Sequence, residues 1–152
     1  IEAQQLMKIS TKGRYGLQVM MDLVQNYGRG PIPVETIAGN QEISGKYIHQ
    51  IVIDLRGSGL VRTVRGPHGG YELARDPSSI TVRDVVTALE GNIAPVDCVA
   101  NMTFCSRAGQ CAARDVWRDV ASAIDGVLSG ITMEQLSARQ REKAEDAPNY
   151  CI

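Results

Sequence analysis

The chain has 152 residues, 43% hydrophobic and 22% charged, with a net charge of −1. That balance suits one folded domain, or one domain plus a dimerisation element, and excludes a disordered chain. It also excludes a nucleic-acid binder recognisable from total charge, and no apolar run approaches the ~20 residues of a membrane span.

The six residues before Met7, IEAQQL, read as an upstream extension and stand outside the fold argument. They lack the basic start and apolar core of a signal peptide, so a cytoplasmic location is expected. Charge is unevenly spread. Residues 1–76 hold nine Lys/Arg against seven Asp/Glu, and residues 77–152 hold seven against ten. The positive half is the one expected to meet DNA.

Ser10–Asn26 reads as a helix, with Leu17, Met20, Met21 and Val24 as its apolar stripe. Its basic lead-in carries Lys8, Lys12 and Arg14 at a helix N-terminus, a place suited to phosphate. GRGPIP (28–33) is a loop. Val34–Asn40 is a short helix with Val34, Ile37 and Ala38 inward, and Gln41–Ile43 turns into a second helix. Ser44 caps that helix, Tyr47, Ile48, Ile51, Val52 and Leu55 form its inner face, and Gly57 and Gly59 end it. Leu60–Val64 and Tyr71–Leu73 are short strands around a GPHGG tip.

Helix, turn, helix and hairpin make a winged helix-turn-helix over residues 7–76. The outer helix face carries Lys46, His49, Gln50 and Ile53, and the hairpin carries Arg62, Arg65 and His68. Donors on a slim helix beside a basic hairpin suit a DNA groove and its phosphates. Candidate DNA-binding residues are therefore Lys8, Lys12, Ser44, Lys46, Tyr47, His49, Gln50, Arg62, Arg65 and His68. Arg65, at the base of the tip, is placed to approach the minor groove.

Residues 77–111 hold a linking helix and a loop. Thr81 and Asp84 form a capping box, Val82, Val85, Val86 and Leu89 the buried face, and Gly91 the stop. Asn92–Gln110 shows no sustained period and is long for a compact domain. It contains Cys98 and Cys105, with Cys111 just beyond and Cys151 near the C-terminus. Residues 112–140 are read as a dimerisation helix, Ala112–Ser129, and a short helix, Thr132–Gln140. Trp117, Val120, Ile124, Val127, Leu128 and Ile131 line the long helix. A winged helix has its own core, so this stripe is expected to meet a second copy. Residues 141–152 read as a flexible tail.

Three cysteines separated by six and five intervening residues can converge on one soft metal centre. Cysteine thiolates hold iron–sulphur clusters and also zinc, which needs a fourth ligand. Asp115, one helical turn past Cys111, is the acidic candidate. Three metal-free thiols are the alternative. No Ser/His/Asp set, phosphate-binding glycine loop or HExxH motif points to an enzyme.

MKISTKGRYGL (7–17), LVRTVRGPHGGYEL (60–73), SSITVRDVV (78–86) and DVWRDV (115–120) resemble the Rrf2-type family of winged-helix bacterial regulators, which includes IscR, NsrR and CymR. The resemblance runs from Met7 to about Leu136. It implies a mostly α fold with a β-hairpin wing and a homodimer on a pseudo-palindromic operator. It also implies an iron–sulphur cluster on Cys98, Cys105 and Cys111, absent after aerobic handling if oxidised. Zinc, or CymR-like control by a partner protein or thiol oxidation without a cluster, are the alternatives. The chain departs from the family at named places. Arg114 stands where the iron–sulphur regulator has a ligating histidine, and Arg14 where the nitric-oxide sensor has an aspartate. His49 stands where related iron–sulphur regulators carry glutamate.

Overall fold

The computed structural model describes residues 9–147 apart from 102, 104, 105 and 108, and apart from the side chains of residues 97 and 98. Lys8, Cys105 and Cys151 lie outside the described residues. Among the described residues, no helix is long and apolar enough to cross a membrane.

Helix α1 (Thr11–Gln25) is the centre of the molecule, packed against elements on both sides. Ser10 caps it by accepting from the Gly13 N–H at 3.1 Å. The predicted stripe is too narrow. Met20 and Met21 are buried, but so are Val19 and Leu23, while Leu17 and Val24 are half-buried. A helix covered on several sides needs more than one stripe.

Helices α2 (Val34–Gln41) and α3 (Gly45–Gly57) form the helix-turn-helix. The turn depends on Glu42, whose φ of 54° lies in the left-handed region. Ser44 starts α3 by accepting from the Tyr47 N–H at 3.2 Å. Ile48, Ile51, Val52 and Leu55 are buried as predicted, with Tyr47 half-buried. Gly59, at φ 73°, ends the helix while the Leu60 N–H donates to the Leu55 carbonyl at 3.0 Å.

The wing is an antiparallel hairpin of β1 (Val61–Val64) and β2 (Gly70–Leu73), in the register Val61 to Leu73 and Val64 to Gly70. Ile32, predicted as loop, pairs with the wing. It exchanges backbone hydrogen bonds with Tyr71 at 2.8 and 2.9 Å. A Cβ on Gly70 would sit 2.1 Å from the Ile32 carbonyl oxygen, so the pairing needs glycine there.

A 3₁₀ turn at Pro77–Ser79 leads to α4 (Val82–Glu90), which carries the predicted Thr81–Asp84 capping box. Helix α4 packs closely on α1, because a Cβ on Gly16 would lie 2.0 Å from Leu89 Cδ1. After a one-turn helix, α5 (Asp97–Ala100), comes α6 (Ala112–Ser129), with the predicted bounds. The last helix, α7 (Met133–Asp146), overturns the expectation of a short helix ending at Gln140. Residues 141–146, predicted as flexible tail, continue it. Arg, Glu, Lys and Ala there are good helix formers, and a Thr132–Gln135 capping box starts the helix. Met133 and Ser137 are buried, and α7 packs on α1. The chain crosses itself before each of the two helices. Val82 N–H donates to the Ile131 carbonyl and Met133 N–H to the Ile80 carbonyl, both at 2.8 Å.

Candidate nucleic-acid interface and cysteine segment

The buried face of α3 fixes which side chains point outward. Lys46, His49, Gln50 and Ile53 are exposed, on the side away from Ile48, Ile51, Val52 and Leu55. The side chains of Lys46 and Gln50 make no hydrogen bond or ion pair among the described residues, nor do those of Arg65 and His68, both exposed on the wing tip. The tip is a tight turn in which Gly69 N–H donates to the Gly66 carbonyl at 3.0 Å, with Gly66 at φ 116°. Arg65 and His68 therefore project from a short, stiff support.

Other candidates have structural partners. Lys12 is ion-paired with Asp54, which ties α1 to α3. Arg62 pairs with Glu72, directly opposite it in the hairpin, at 2.7 Å. Ser44 caps α3, and Tyr47 packs edge-to-face on Tyr15 with centroids 6.1 Å apart. Two side-chain contacts join α3 to the wing. His49 is hydrogen-bonded to the Tyr71 hydroxyl, and Arg56 donates to Thr63 Oγ1 at 3.2 Å. Helix α3 and the wing are thus one braced surface.

The cysteine segment is built differently. Cys111 is a free, partly exposed thiol at the N-cap position of α6. Cys98 belongs to α5, which packs against α6. Asp115 is exposed and paired with Arg118 at 2.9 Å. Arg114, three residues past Cys111, is 8% exposed. Among the described residues, no three His, Cys, Asp or Glu side chains converge on a metal position. On α6, Val116, Trp117 and Val127 are exposed at 56%, 43% and 63%. Val120, Ile124 and Leu128 are partly covered.

The family model for Rrf2, described as an iron-dependent transcriptional regulator, matches residues 9–139. The chain belongs to the Rrf2 family. It is a DNA-binding transcriptional regulator, with a winged-helix fold shared by solved Rrf2 regulators. The Rrf2 chain is 39% identical to the HTH-type transcriptional regulator CymR of Bacillus subtilis, over 87% of this chain and 91% of that one. It is 36% identical to the HTH-type transcriptional regulator IscR of Escherichia coli, over 96% and 94%. The structure of CymR, the global cysteine regulator of B. subtilis, superposes with a TM-score of 0.74 at 39% identity, over 87% of this chain and 97% of that one. T. potens IscR gives 0.74 at 38% identity, over 94% of each.

Some residues that shape this Rrf2 surface escaped the sequence reading. Gly13 and Gly16 read as part of a basic lead-in, yet both are buried where α1 meets α4. Glu90, which accepts from the Ser10 N–H at 2.9 Å, carried no local signal. Tyr71 and Arg56, the braces between wing and helix, are many residues from their partners.

Proposed function

We propose that this Rrf2 regulator binds a two-fold operator as a homodimer and responds to iron–sulphur or redox status through its cysteine segment. The observation that carries the reading is the position of Cys111. It stands at the N-cap position of the helix that leaves Val116, Trp117 and Val127 exposed, and Cys98 sits on the turn packed against that helix. A second copy covering Val116, Trp117 and Val127 removes that apolar surface from water. Two-fold symmetry then sets two copies of α3 about one DNA turn, roughly 34 Å, apart.

In this reading Lys46, His49 and Gln50 meet base edges, and Lys8, Arg65 and His68 meet phosphate or the minor groove. Lys12, Ser44, Tyr47 and Arg62 hold the surface in shape, with their remaining polar atoms at its rim.

The donor set fits a thiolate-held centre, with Cys98, Cys105 and Cys111 as ligands. A cluster bound there supplies an iron-dependent, oxidant-labile centre. Asp115 has to leave Arg118 to serve as fourth ligand, and Arg114 stays protonated and cannot serve. This chain's own part is mechanical. Tying Cys98 to Cys111 fixes α5 against the first turn of α6 and so sets the relative position of the two reading helices.

A second reading is favoured by the 39% identity to CymR and by the commitment of Asp115 to Arg118. In it, a partner protein or thiol oxidation controls DNA binding without a cluster. Anaerobic purification followed by iron, sulphide and zinc assay separates the readings, repeated after operator titration. Iron with acid-labile sulphide supports the first. Metal-free protein that binds operator normally supports the second, and zinc alone indicates a structural site.

A further inference from the structure

His49 and Tyr71 are joined through His49 Nδ1 and the phenolic oxygen. Their rings meet edge-to-face, with centroids 5.8 Å apart and planes at 81°. His49 is exposed on α3, whereas Tyr71 is 8% exposed in the wing. The tyrosine backbone is held from both sides. It pairs with Thr63 across the hairpin and exchanges two hydrogen bonds with Ile32. The hydroxyl is therefore a fixed point against which the imidazole is set.

Burial raises the Tyr71 pKa above its ordinary 10.0, against a smaller lowering by the Arg56 charge, so the phenol keeps its proton. A phenol hydroxyl can donate to an imidazole nitrogen or accept from it, and where it donates the accepting nitrogen carries no hydrogen. With Tyr71 as donor to Nδ1, the imidazole proton resides on Nε2.

We propose that Tyr71 is a positioning residue for base readout, holding His49 in the Nε2–H form so that the reading helix presents a donor at that position. This rests on the reading of α3 as the DNA-facing helix. In the major groove a donor suits guanine N7 or O6 and is refused by the cytosine amino group. A glutamate at the same place has the opposite polarity. The wing thus takes part in sequence selection through the recognition helix, without Tyr71 itself reaching DNA.

Two measurements test this. In ¹⁵N-labelled protein, above the pH at which the imidazole is charged, the His49 ring nitrogens should show a single Nε2–H tautomer. Tyr71→Phe should turn that signature into a mixture. An Nδ1–H tautomer in the unsubstituted protein overturns the proposal, whatever the fate of the variant. In selection from randomised operators, the protein should favour guanine at one position of each half-site. Tyr71→Phe should reduce that preference three- to tenfold while far-UV circular dichroism stays the same. In a His49→Arg background, where the side chain is always a donor, Tyr71→Phe should leave the preference untouched. If His49→Ala leaves the selected sequence unchanged, the DNA-facing reading of α3 fails. If His49→Ala changes it but Tyr71→Phe alters neither spectrum nor preference, only the positioning role fails.

Discussion

From α1 to α4 every helix hides an apolar face, whereas the 18 residues of α6 hide one side chain, and it is an arginine. The first region closes on itself. Ile37, Ile48, Ile51, Leu55, Leu60, Ile80 and Val85 are fully buried, and glycines let the backbones approach. On α6 Val116, Trp117 and Val127 stay in water while Arg114 is withdrawn from it. Apolar burial drives folding, and a buried charge must be compensated. The first region therefore specifies its own shape, whereas α6 leaves Val116, Trp117 and Val127 in water.

The most severe way to break this contrast is Gly70→Ala. The added methyl would lie 2.1 Å from the Ile32 oxygen and 2.7 Å from the Pro33 nitrogen, both backbone atoms with little freedom to move. A loss of about 3 kcal/mol or more is expected, read as a lower denaturant midpoint at unchanged slope. A substitution on α6 should behave in the opposite way. Val127→Glu puts a charge on a side chain already 63% exposed, so the monomer should lose under about 0.5 kcal/mol. Under the dimer reading it should nevertheless convert dimer to monomer in sedimentation and weaken operator binding at least tenfold. An unchanged dimer would move the interface elsewhere.

Arg65→Ala sharpens the comparison within the first region, because Arg65 is exposed at the tip and contributes nothing to the core. Operator affinity should fall by about 1 kcal/mol and the salt dependence by about one charge, with thermal stability unaltered. Equal affinity at several salt concentrations would place the wing tip away from DNA. The smallest effect is expected at Glu42→Gly. Relief of the left-handed backbone at φ 54° is partly offset by the greater entropy of unfolded glycine, which leaves a gain of about 0.5 kcal/mol. A loss of stability would show that Glu42 has a tertiary role.

The helices and wing were legible because their signals are local: Ser44 and Thr81 as caps, the period of Ile48, Ile51, Val52 and Leu55, and the glycines of the tip. Contacts between distant positions were not. Gly13 and Gly16 have no local reason to be buried, and nothing in GGYEL announces that the tyrosine will meet His49 across 22 residues. The end of α7 is not legible in the sequence because 141–146 lack large apolar residues, a property of solvent-facing helices as well as tails. In the cysteine segment the spacing gave the ligand candidates. Hydropathy places an arginine outside, so the burial of Arg114 could not be read from the sequence.

The crossing of Ile80–Val82 with Ile131–Met133 makes the chain divisible. The segment between the two crossing points starts at α4 and ends after α6, with its ends side by side where Ile131 and Met133 bond the residues flanking Thr81. An excursion whose ends are pinned side by side can change length cheaply, since doubling a loop costs only about 0.6 kcal/mol. A change of length between residues 91 and 130 therefore leaves both the crossing and the bonds that brace α3 against the wing in place.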